Sequence, residues 1–194
     1  MSQKIMVLDC EFNQPSRKTI QIGAAIYDVR SGACHDHLDL YVNPYEPITP
    51  EITHLTGITD KHVEKAPDII EAWQILKEFH KKHKCFRNPL VWGSGVRNDS
   101  SALHEEYNAF QHLQDANWRT EENFMGFRVV DAKTLYQSLM LFENRGYAGG
   151  LKESMKKLGL EFEGTAHNAL TDARNTWKIW YYLTRLAHDG LKAK

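Results

Sequence analysis

The stretch that most constrains this chain is IMVLDCEFN at residues 5–13, in which an apolar run leads into two acids. A continuous apolar run of this kind is typical of a strand buried on both faces. Side chains two apart on a strand point to the same face, so Asp9 and Glu11 are expected to project side by side. Adjacent carboxylates repel each other unless something positive lies between them. The stretch therefore predicts either a turn capped by one acid or a cation site completed elsewhere in the chain.

Length and charge narrow the class of protein. The chain has 194 residues, so we expect residues 1–194 to form a single domain. Its hydrophobic content of 42% and charged content of 25% are ordinary for a globular protein. A net charge of −1 argues against a protein that coats duplex nucleic acid by bulk charge. Nucleic acid bound at a local, metal-filled site is still compatible with that charge.

Cysteine usage and hydropathy indicate a location. Three cysteines without zinc-like pairing predict no disulfide framework and favour a reducing compartment. No signal peptide precedes the first strand, and no apolar stretch approaches the roughly 18 residues needed to cross a bilayer. We therefore expect a cytoplasmic protein with no membrane as a partner.

Residue periodicity predicts three strands followed by alternating strands and helices. After the first strand, TIQIGAAIYDV and CHDHLDLYV complete an antiparallel meander. A short helix is expected near 50–56, because Thr49 can cap it, Pro50 suits its first turn and Gly57 suits its end. A long amphipathic helix is expected over NALTDARNTWKIWYYLTRLA. The expected fold class is α/β, a mixed sheet with helices packed on it.

Two further segments carry acids that could complete a cation site. Asp99 in WGSGVRNDSSALHEEY follows a glycine-broken loop at the start of a helix, where an acid can also serve only as an N-cap. In GTAHNALTDAR, His167 and Asp172 are separated by about 140° if both are helical. They can converge only if His167 still belongs to the entering loop. A buried or capping histidine is the other interpretation.

Together these residues predict a metal-dependent hydrolase. Clustered carboxylates such as Asp9, Glu11, Asp99 and Asp172 suit hard cations, Mg²⁺ or Mn²⁺. Two such ions about 3.5–4 Å apart stabilise the attacking and leaving oxygens of phosphodiester cleavage. His167 could take a proton from the attacking water, since histidine changes protonation near neutral pH. We therefore expect two divalent metal ions as cofactors.

The same combination resembles the DEDDh 3′–5′ exonucleases of the ribonuclease-H-like superfamily. Asp-x-Glu on the first strand, a later Asp and His-x4-Asp before the last helix carry the resemblance, and IQIGAAIYD, ITPEITHLTGIT and GGLKESMKKLGL extend it over nearly the whole chain. It implies a ribonuclease-H-like mixed sheet of about five strands, the first three antiparallel, flanked by helices. It also implies metal binding by Asp9, Glu11, Asp99 and Asp172, with Glu11 and His167 as catalytic residues and His167 as the general base.

The resemblance further implies a substrate-binding segment, HLTGI. His54, Leu55, Thr56 and Gly57 would contact the 3′-terminal nucleotide, and Phe12 would face the scissile nucleotide. The residue types agree in part, because glycine lets backbone approach a ligand and an exposed Leu or Phe can stack on a base. From the residues alone, Leu55 and Phe12 could equally belong to the core.

The second motif departs from the pattern of many family members, in which an Asn precedes a Phe-Asp pair. Here Asn98 comes directly before Asp99 without a Phe, and a Trp-Gly followed by Asp is closer to the branch that trims RNA ends. Asp131 in RVVDAKTLY is the rival of Asp99 for the metal site, although it is placed like an N-cap between a strand and a helix. The basic stretch HKKHKCFR at 80–87 is either a solvated helix end or a nucleic-acid track.

The leading expectation is a metal-dependent 3′–5′ exonuclease that acts on the 3′ end of single-stranded RNA or DNA and releases nucleoside 5′-monophosphates. The direction of cleavage is implied by the resemblance. One alternative is a phosphodiesterase for short oligonucleotides, and another is a nucleic-acid-binding or partner-binding module on the same fold. The presence of all five candidate catalytic residues argues against the binding module. A homodimer or a recruiting protein partner stays open, because no appended binding domain is expected.

Overall fold

The computed structural model describes residues 3–93, 98–146 and 149–192. Its strands form a five-stranded mixed sheet in the order β3-β2-β1-β4-β5. The first three strands pair antiparallel, whereas β1–β4 and β4–β5 pair parallel. The predicted fold class, with its antiparallel meander, is confirmed. The strands are β1 (Lys4–Phe12), β2 (Thr19–Asp28), β3 (Cys34–Tyr41), β4 (Leu90–Val91) and β5 (Val130–Asp131).

Helices occupy most of the chain between and after these strands. The helix predicted near 50–56 is present, and Gly57 ends it at φ 76° with its N–H donating to the Thr53 carbonyl. Thr49 holds the N-cap position, but its hydroxyl makes no capping hydrogen bond, so that expectation was wrong. The helices are α1 (Pro50–Thr56), α2 (Asp60–Val63), α3 (Ile69–His83), α4 (Asp99–Gln114), α5 (Ala132–Phe142), α6 (Leu151–Lys157) and α7 (Ala169–Lys192).

The alternation of side chains along β1 decides what each one meets. Met6, Leu8 and Cys10 share one buried cluster with α3 and α4. Ile5 and Val7 share another with α5 and α7 on the opposite face. Asp9 and Glu11 continue the odd-numbered series, so the period of two places both acids on the face that α7 covers.

Gly23 on β2 allows α7 to begin directly against the sheet. A Cβ atom at this position would lie 2.1 Å from the backbone carbon of Ala169 and 2.1 Å from the backbone nitrogen of Leu170. No side chain fits such a gap, so the close approach requires glycine. Gly23 is also the partner of Asp9 in the β1–β2 ladder, which brings the start of α7 beside that acid.

Gln21, two residues before this glycine, fixes the same contact by hydrogen bonds. Its Oε1 accepts the Ala169 N–H at 3.1 Å, and its Nε2 donates to Asp39 Oδ1 on β3 at 2.7 Å. Gln21 is fully buried and pairs with Glu11 across the ladder. Because a buried amide that is bonded at both ends is costly to move, the start of α7 is held in register with β1.

The structure also bears on the basic stretch at 80–87, on the cysteines and on the expectation of no membrane-spanning helix. Lys82 and His83, within the basic stretch 80–87, both contact Asp36 Oδ2 at 2.9 Å, which suits a structural helix end. The three cysteines are free thiols. Across the three described ranges, we find no helix with the length and hydropathy needed to cross a bilayer.

Candidate active site

Four carboxylates from three separate parts of the chain converge at the end of β1. Asp9 and Glu11 come from β1, Asp99 is the first residue of α4, and Asp172 lies in the first turn of α7. Burial is the largest cause of a raised pKa at Asp9, and the charges of Asp99, Asp172 and Glu11 raise it further. The acids that the sequence singled out therefore form one electrostatic cluster.

The other members of the cluster also have raised pKa values, with burial as the largest cause in each. Burial raises the pKa of Glu11 to about 8, and the charges of Asp172 and Asp99 add to that effect. Burial raises the pKa of Asp99 to about 7, while the Arg17 guanidinium opposes the rise. The pKa of Asp172 is also raised by burial, against a hydrogen bond from the His167 backbone. Raised pKa values on carboxyl groups that lie close together are typical of a functional site, and a bound cation would favour the charged form of each group.

His167 lies in the loop that enters α7, where it can converge with Asp172. Its backbone has φ 62°, and its N–H donates to Asp172 Oδ2 at 3.0 Å. The other carboxylate oxygen, Asp172 Oδ1, is buried without a hydrogen-bond partner among the described residues. One ligand atom each from Glu11, His167 and Asp172 lie within 4.8 Å of one another. This set of donors suits a divalent cation.

Asp99 is free of the capping role that was its other interpretation. The N-cap of α4 is Asn98, whose side chain accepts the Ser101 N–H at 3.1 Å. The Asp99 side chain is therefore available to the acid cluster. The glycine-broken loop predicted before it falls largely on residues 94–97, which lie outside the described residues.

Asp131, the rival of Asp99, is engaged at the start of α5. Its Oδ1 accepts the backbone N–H groups of Lys133 and Thr134 at 2.9 and 3.2 Å, and its Oδ2 accepts the Thr134 hydroxyl at 2.7 Å. It is an N-cap, as its position predicted. Its charge is not among those that raise the pKa of Asp9, whereas the charge of Asp99 is.

Asn13 connects the acid strand to the candidate substrate-binding segment. Its buried amide donates to Glu46 Oε1 at 2.7 Å and to the Pro47 carbonyl at 3.0 Å, and its Oδ1 accepts the Thr49 N–H at 3.0 Å. These bonds hold the start of α1 against the end of β1. Sequence reasoning missed this residue, and its signal was a polar side chain directly after the acid strand.

The segment at the end of α1 presents mostly exposed groups. Leu55 is 48% exposed, so it is not a core residue, and His54 is also exposed. The space beside Gly57 is open, with no atom within 4 Å of where a Cβ would lie. Phe12 is half-buried and packs against the core that contains α3 and α4.

Thr56 is the exception within this segment. Its hydroxyl donates to the Ile52 carbonyl at 2.8 Å and accepts the Ile58 N–H at 3.0 Å. The side chain therefore closes α1 and shapes the turn. Any contact of Thr56 with a substrate is in addition to that structural role.

Comparison with known proteins identifies the family of this chain. The Exonuclease (RNase_T) family profile matches residues 6–180. The chain is 26% identical over 178 residues to ERI1 exoribonuclease 2 of Danio rerio, covering 86% of this chain and 31% of that protein. It is 24% identical over 182 residues to RNA exonuclease 4 of Debaryomyces hansenii, covering 91% of this chain and 56% of that protein. The chain thus spans 31% and 56% of the length of these two curated relatives.

Solved structures share the fold at low sequence identity. The nuclease domain of 3′hExo, a DEDDh family member bound to rAMP, has a TM-score of 0.70 at 17% identity, covering 95% of this chain and 92% of that chain. Cell-death related nuclease 4 has a TM-score of 0.75 at 14% identity, covering 95% of this chain and 64% of that chain. The resemblance seen in the sequence is confirmed: this chain belongs to the exonuclease family.

Proposed function

We propose that this chain is a metal-dependent 3′–5′ exonuclease that removes nucleoside 5′-monophosphates from the 3′ end of single-stranded RNA or DNA. The family match supports a phosphodiester hydrolase. Two relatives are named exoribonuclease and RNA exonuclease, so RNA is the substrate to test first. Structures with the same fold hold a histone mRNA stem-loop and a 5′-overhanging duplex DNA, which keeps DNA as the second.

The convergence of four carboxylates from three separate parts of the chain carries this proposal. Burial raises the pKa of each of the four carboxyl groups, and the charges of Asp99 and Asp172 raise those of Asp9 and Glu11 further. Asp172 Oδ1 is buried without a hydrogen-bond partner among the described residues, so this oxygen is available to bind a cation. Such an arrangement costs stability unless ions occupy it, so it is maintained for function.

The residues present fit two divalent ions, Mg²⁺ or Mn²⁺. Asp9, Glu11, Asp99 and Asp172 would hold them through oxygen atoms, the ligands that such hard cations prefer. When bound, the ions stabilise the negative charge that develops on the attacking and leaving oxygens.

His167 supplies the general base in this proposal. It takes a proton from water as the water oxygen forms a bond to the terminal phosphorus and the bond from phosphorus to the 3′ oxygen breaks. The departing 3′ oxygen of the penultimate nucleotide then receives a proton from solvent. Exposure of the His167 ring and its place beside Glu11 and Asp172 support this role.

Substrate contacts are proposed at the end of α1 and at the end of β1. His54, Leu55, Thr56 and Gly57 would line the terminal nucleotide, and Phe12 would face the scissile one. The exposure of Leu55 and the open space at Gly57 support this assignment. We also propose that residues 1–194 form one exonuclease domain that works in the cytoplasm, with a homodimer or a recruiting protein as a possible partner.

The test is product analysis on single-stranded RNA and DNA of graded length, labelled at the 3′ or the 5′ end. Reactions contain Mg²⁺, Mn²⁺ or a chelator, and Asp9→Asn protein serves as the inactive control. We expect metal-dependent shortening from the 3′ end that Asp9→Asn abolishes.

Two results would change the assignment. Cleavage restricted to the shortest oligonucleotides would favour the phosphodiesterase. Binding of labelled strands without cleavage, by protein that melts cooperatively, would favour the binding module and overturn the exonuclease.

A further inference from the structure

A cavity of about 480 Å³ lies beside the acid cluster, between the β1–β2 turn and α4. None of the proposed metal ligands or catalytic residues lines it. Its volume lies in the range of small-molecule sites, so it can accept one nucleotide. We call it the upstream cavity, and its main lining residues are Ser16, Arg17, Lys18, Pro44, Phe110 and Leu113.

The upstream cavity lies next to the start of α4, the helix that carries Asp99. Ser101 and Ala102, which also line it, lie in the turn of α4 that begins with Asp99. The charge of Arg17 acts on the Asp99 carboxyl, and the Arg17 guanidinium lies 5.9 Å from the centre of the Phe12 ring. A strand whose end is at the acids can therefore extend into this cavity.

The two cations of the cavity differ in how far they are already neutralised. Lys18 lies 3.3 Å from Glu46 and donates to the Pro44 carbonyl at 2.8 Å. Arg17 forms no ion pair with any residue that the structure describes. Its exposed side chain projects from a backbone held at φ 62°, with the Arg17 N–H donating to the Asn13 carbonyl at 2.8 Å. Arg17 is thus an unneutralised guanidinium on a fixed turn, which suits a phosphate.

One aromatic ring lines the cavity, and a second ring from a neighbouring turn packs on it. Phe110 lines it directly, and Tyr45 lies parallel to Phe110 with ring centres 5.9 Å apart. Tyr45 is 62% exposed at φ 53°, and its N–H donates to Asn43 Oδ1 at 2.9 Å. An aromatic ring that the backbone holds out into solvent offers a face on which a base can stack.

Two acids on α4, Glu105 and Glu106, also line the cavity and would repel a phosphate. Glu106 accepts the Thr19 N–H at 2.9 Å and the Thr19 hydroxyl at 2.5 Å, and Glu105 is exposed beside it. These carboxylates disfavour a phosphate deep in the cavity. The phosphate therefore belongs at Arg17 and the uncharged base belongs beyond it.

We propose that the upstream cavity binds the nucleotide on the 5′ side of the scissile bond. Arg17 donates hydrogen bonds to the phosphate that precedes this penultimate nucleotide, and the base stacks on the exposed face of Tyr45, whose ring packs on Phe110. This inference rests on the proposed exonuclease function, since it names the second subsite of that same strand.

The test combines protein variants with single-atom changes in the substrate. A 5′-labelled single strand carries one uncharged methylphosphonate at the linkage that precedes the penultimate nucleotide, and a matched strand carries it several linkages further upstream. For wild-type protein, the near methylphosphonate should lower kcat/KM for removal of the 3′ nucleotide by about tenfold, mainly through KM, because it removes one charged hydrogen bond.

Arg17→Gln should lose that sensitivity. The variant cleaves the unmodified strand about tenfold less well than wild type does, and the near methylphosphonate causes no further loss. Tyr45→Ala should lower kcat/KM by about fivefold to tenfold on the normal strand and by much less on a strand with an abasic penultimate position. Arg30→Gln, which alters an exposed arginine at the other end of β2, is the matched control and should behave as wild type.

The outcomes separate the two proposals. A wild-type protein that shortens no strand refutes the proposed function, and the subsite falls with it. Shortening with equal sensitivity to the near methylphosphonate in wild type and Arg17→Gln refutes the subsite alone. Equal losses for Tyr45→Ala on normal and abasic strands refute the placement of the base.

Discussion

The two ends of the β1–β2 ladder treat their carboxylates in opposite ways. Asp28, paired with Lys4 at one end, accepts the N–H groups of Arg30 and Ser31 and the Ser31 hydroxyl at 2.7–3.0 Å. The Ser31 backbone hydrogen bond is the main cause of a lowered pKa at Asp28. At the other end, burial and mutual repulsion raise the pKa values of Asp9 and Glu11.

The difference lies in where hydrogen-bond donors are supplied. Around Asp28 the chain itself provides the donors, so the carboxylate is a structural element of a turn. Around Asp9 and Glu11 the chain provides more acids instead, so the positive charge has to come from outside the protein. Convergence with other acids, together with a raised pKa, thus separates Asp9 and Glu11, the candidate functional acids, from Asp28 on the same sheet.

The largest expected effect separates Asp99 from Asp131. Asp99→Asn should lower exonuclease activity about a thousandfold, because loss of a metal ligand removes several kcal/mol of transition-state stabilisation. Asp131→Asn should leave activity near that of wild type, since Asn is also a good N-cap. Steady-state rates of both variants with Mn²⁺ make the comparison. Loss of activity in Asp131→Asn alone would transfer the metal role to Asp131.

Next in size is the effect of removing the imidazole. His167→Asn should lower kcat by at least about a hundredfold, the usual contribution of a general base. Asn tolerates the left-handed backbone at this position, so the change tests the ring rather than the fold. The melting temperature should still rise on addition of Mn²⁺. Loss of that rise would make His167 a metal ligand and contradict its role as the base.

A smaller combined effect is expected from Gly23→Ala. The new methyl group would meet the backbone of Ala169 at 2.1 Å, so the start of α7 must shift away from β2. We expect about 1–3 kcal/mol of destabilisation from overpacking, and up to about a hundredfold lower activity if Asp172 moves by about 1 Å.

Gly190→Ala is the control for this variant, because its added methyl group meets no atom within 4 Å. Urea denaturation and initial rates measured on both proteins make the test. Unchanged activity in a destabilised Gly23→Ala protein would separate the α7 contact from the geometry of the site.

The smallest effect is on the pH dependence of stability. Without metal, the folded protein retains protons on Glu11 up to about pH 8, whereas the unfolded chain loses them near about pH 4. The folded state therefore binds more protons, and the free energy of unfolding falls as the pH rises across that interval. Melting temperatures in a chelator should decline from about pH 5 to about pH 8, and Mg²⁺ or Mn²⁺ should suppress the decline.

Asp28 is expected to change the free energy of unfolding with pH in the opposite direction. Because its pKa is lowered in the folded state, its contribution is present above the pKa of the unfolded chain and is lost as the pH falls. Asp28→Ala should therefore flatten the acid side of the profile and leave the decline toward alkaline pH intact. A variant that flattened the alkaline side would contradict the division between the two ends of the ladder.

Period-two alternation and helix punctuation made much of the fold predictable. The apolar run before Asp9 predicted a buried strand, and the same alternation predicted that Glu11 would share its face. His167 comes close to Asp172 because its backbone is left-handed, and no sequence pattern predicted that conformation. No prediction was made for Gly23 within β2, and only the structure shows that the backbone of α7 approaches it.

The contact between Gln21 and the first N–H of α7 joins residues 148 positions apart in sequence. Asp172 reaches the acids of β1 only once that contact is made. A partly synthesised chain therefore carries Asp9, Glu11 and Asp99 without a complete nuclease site until α7 has emerged from the ribosome and docked. If the proposed activity holds, the polypeptide becomes able to degrade RNA only after that step.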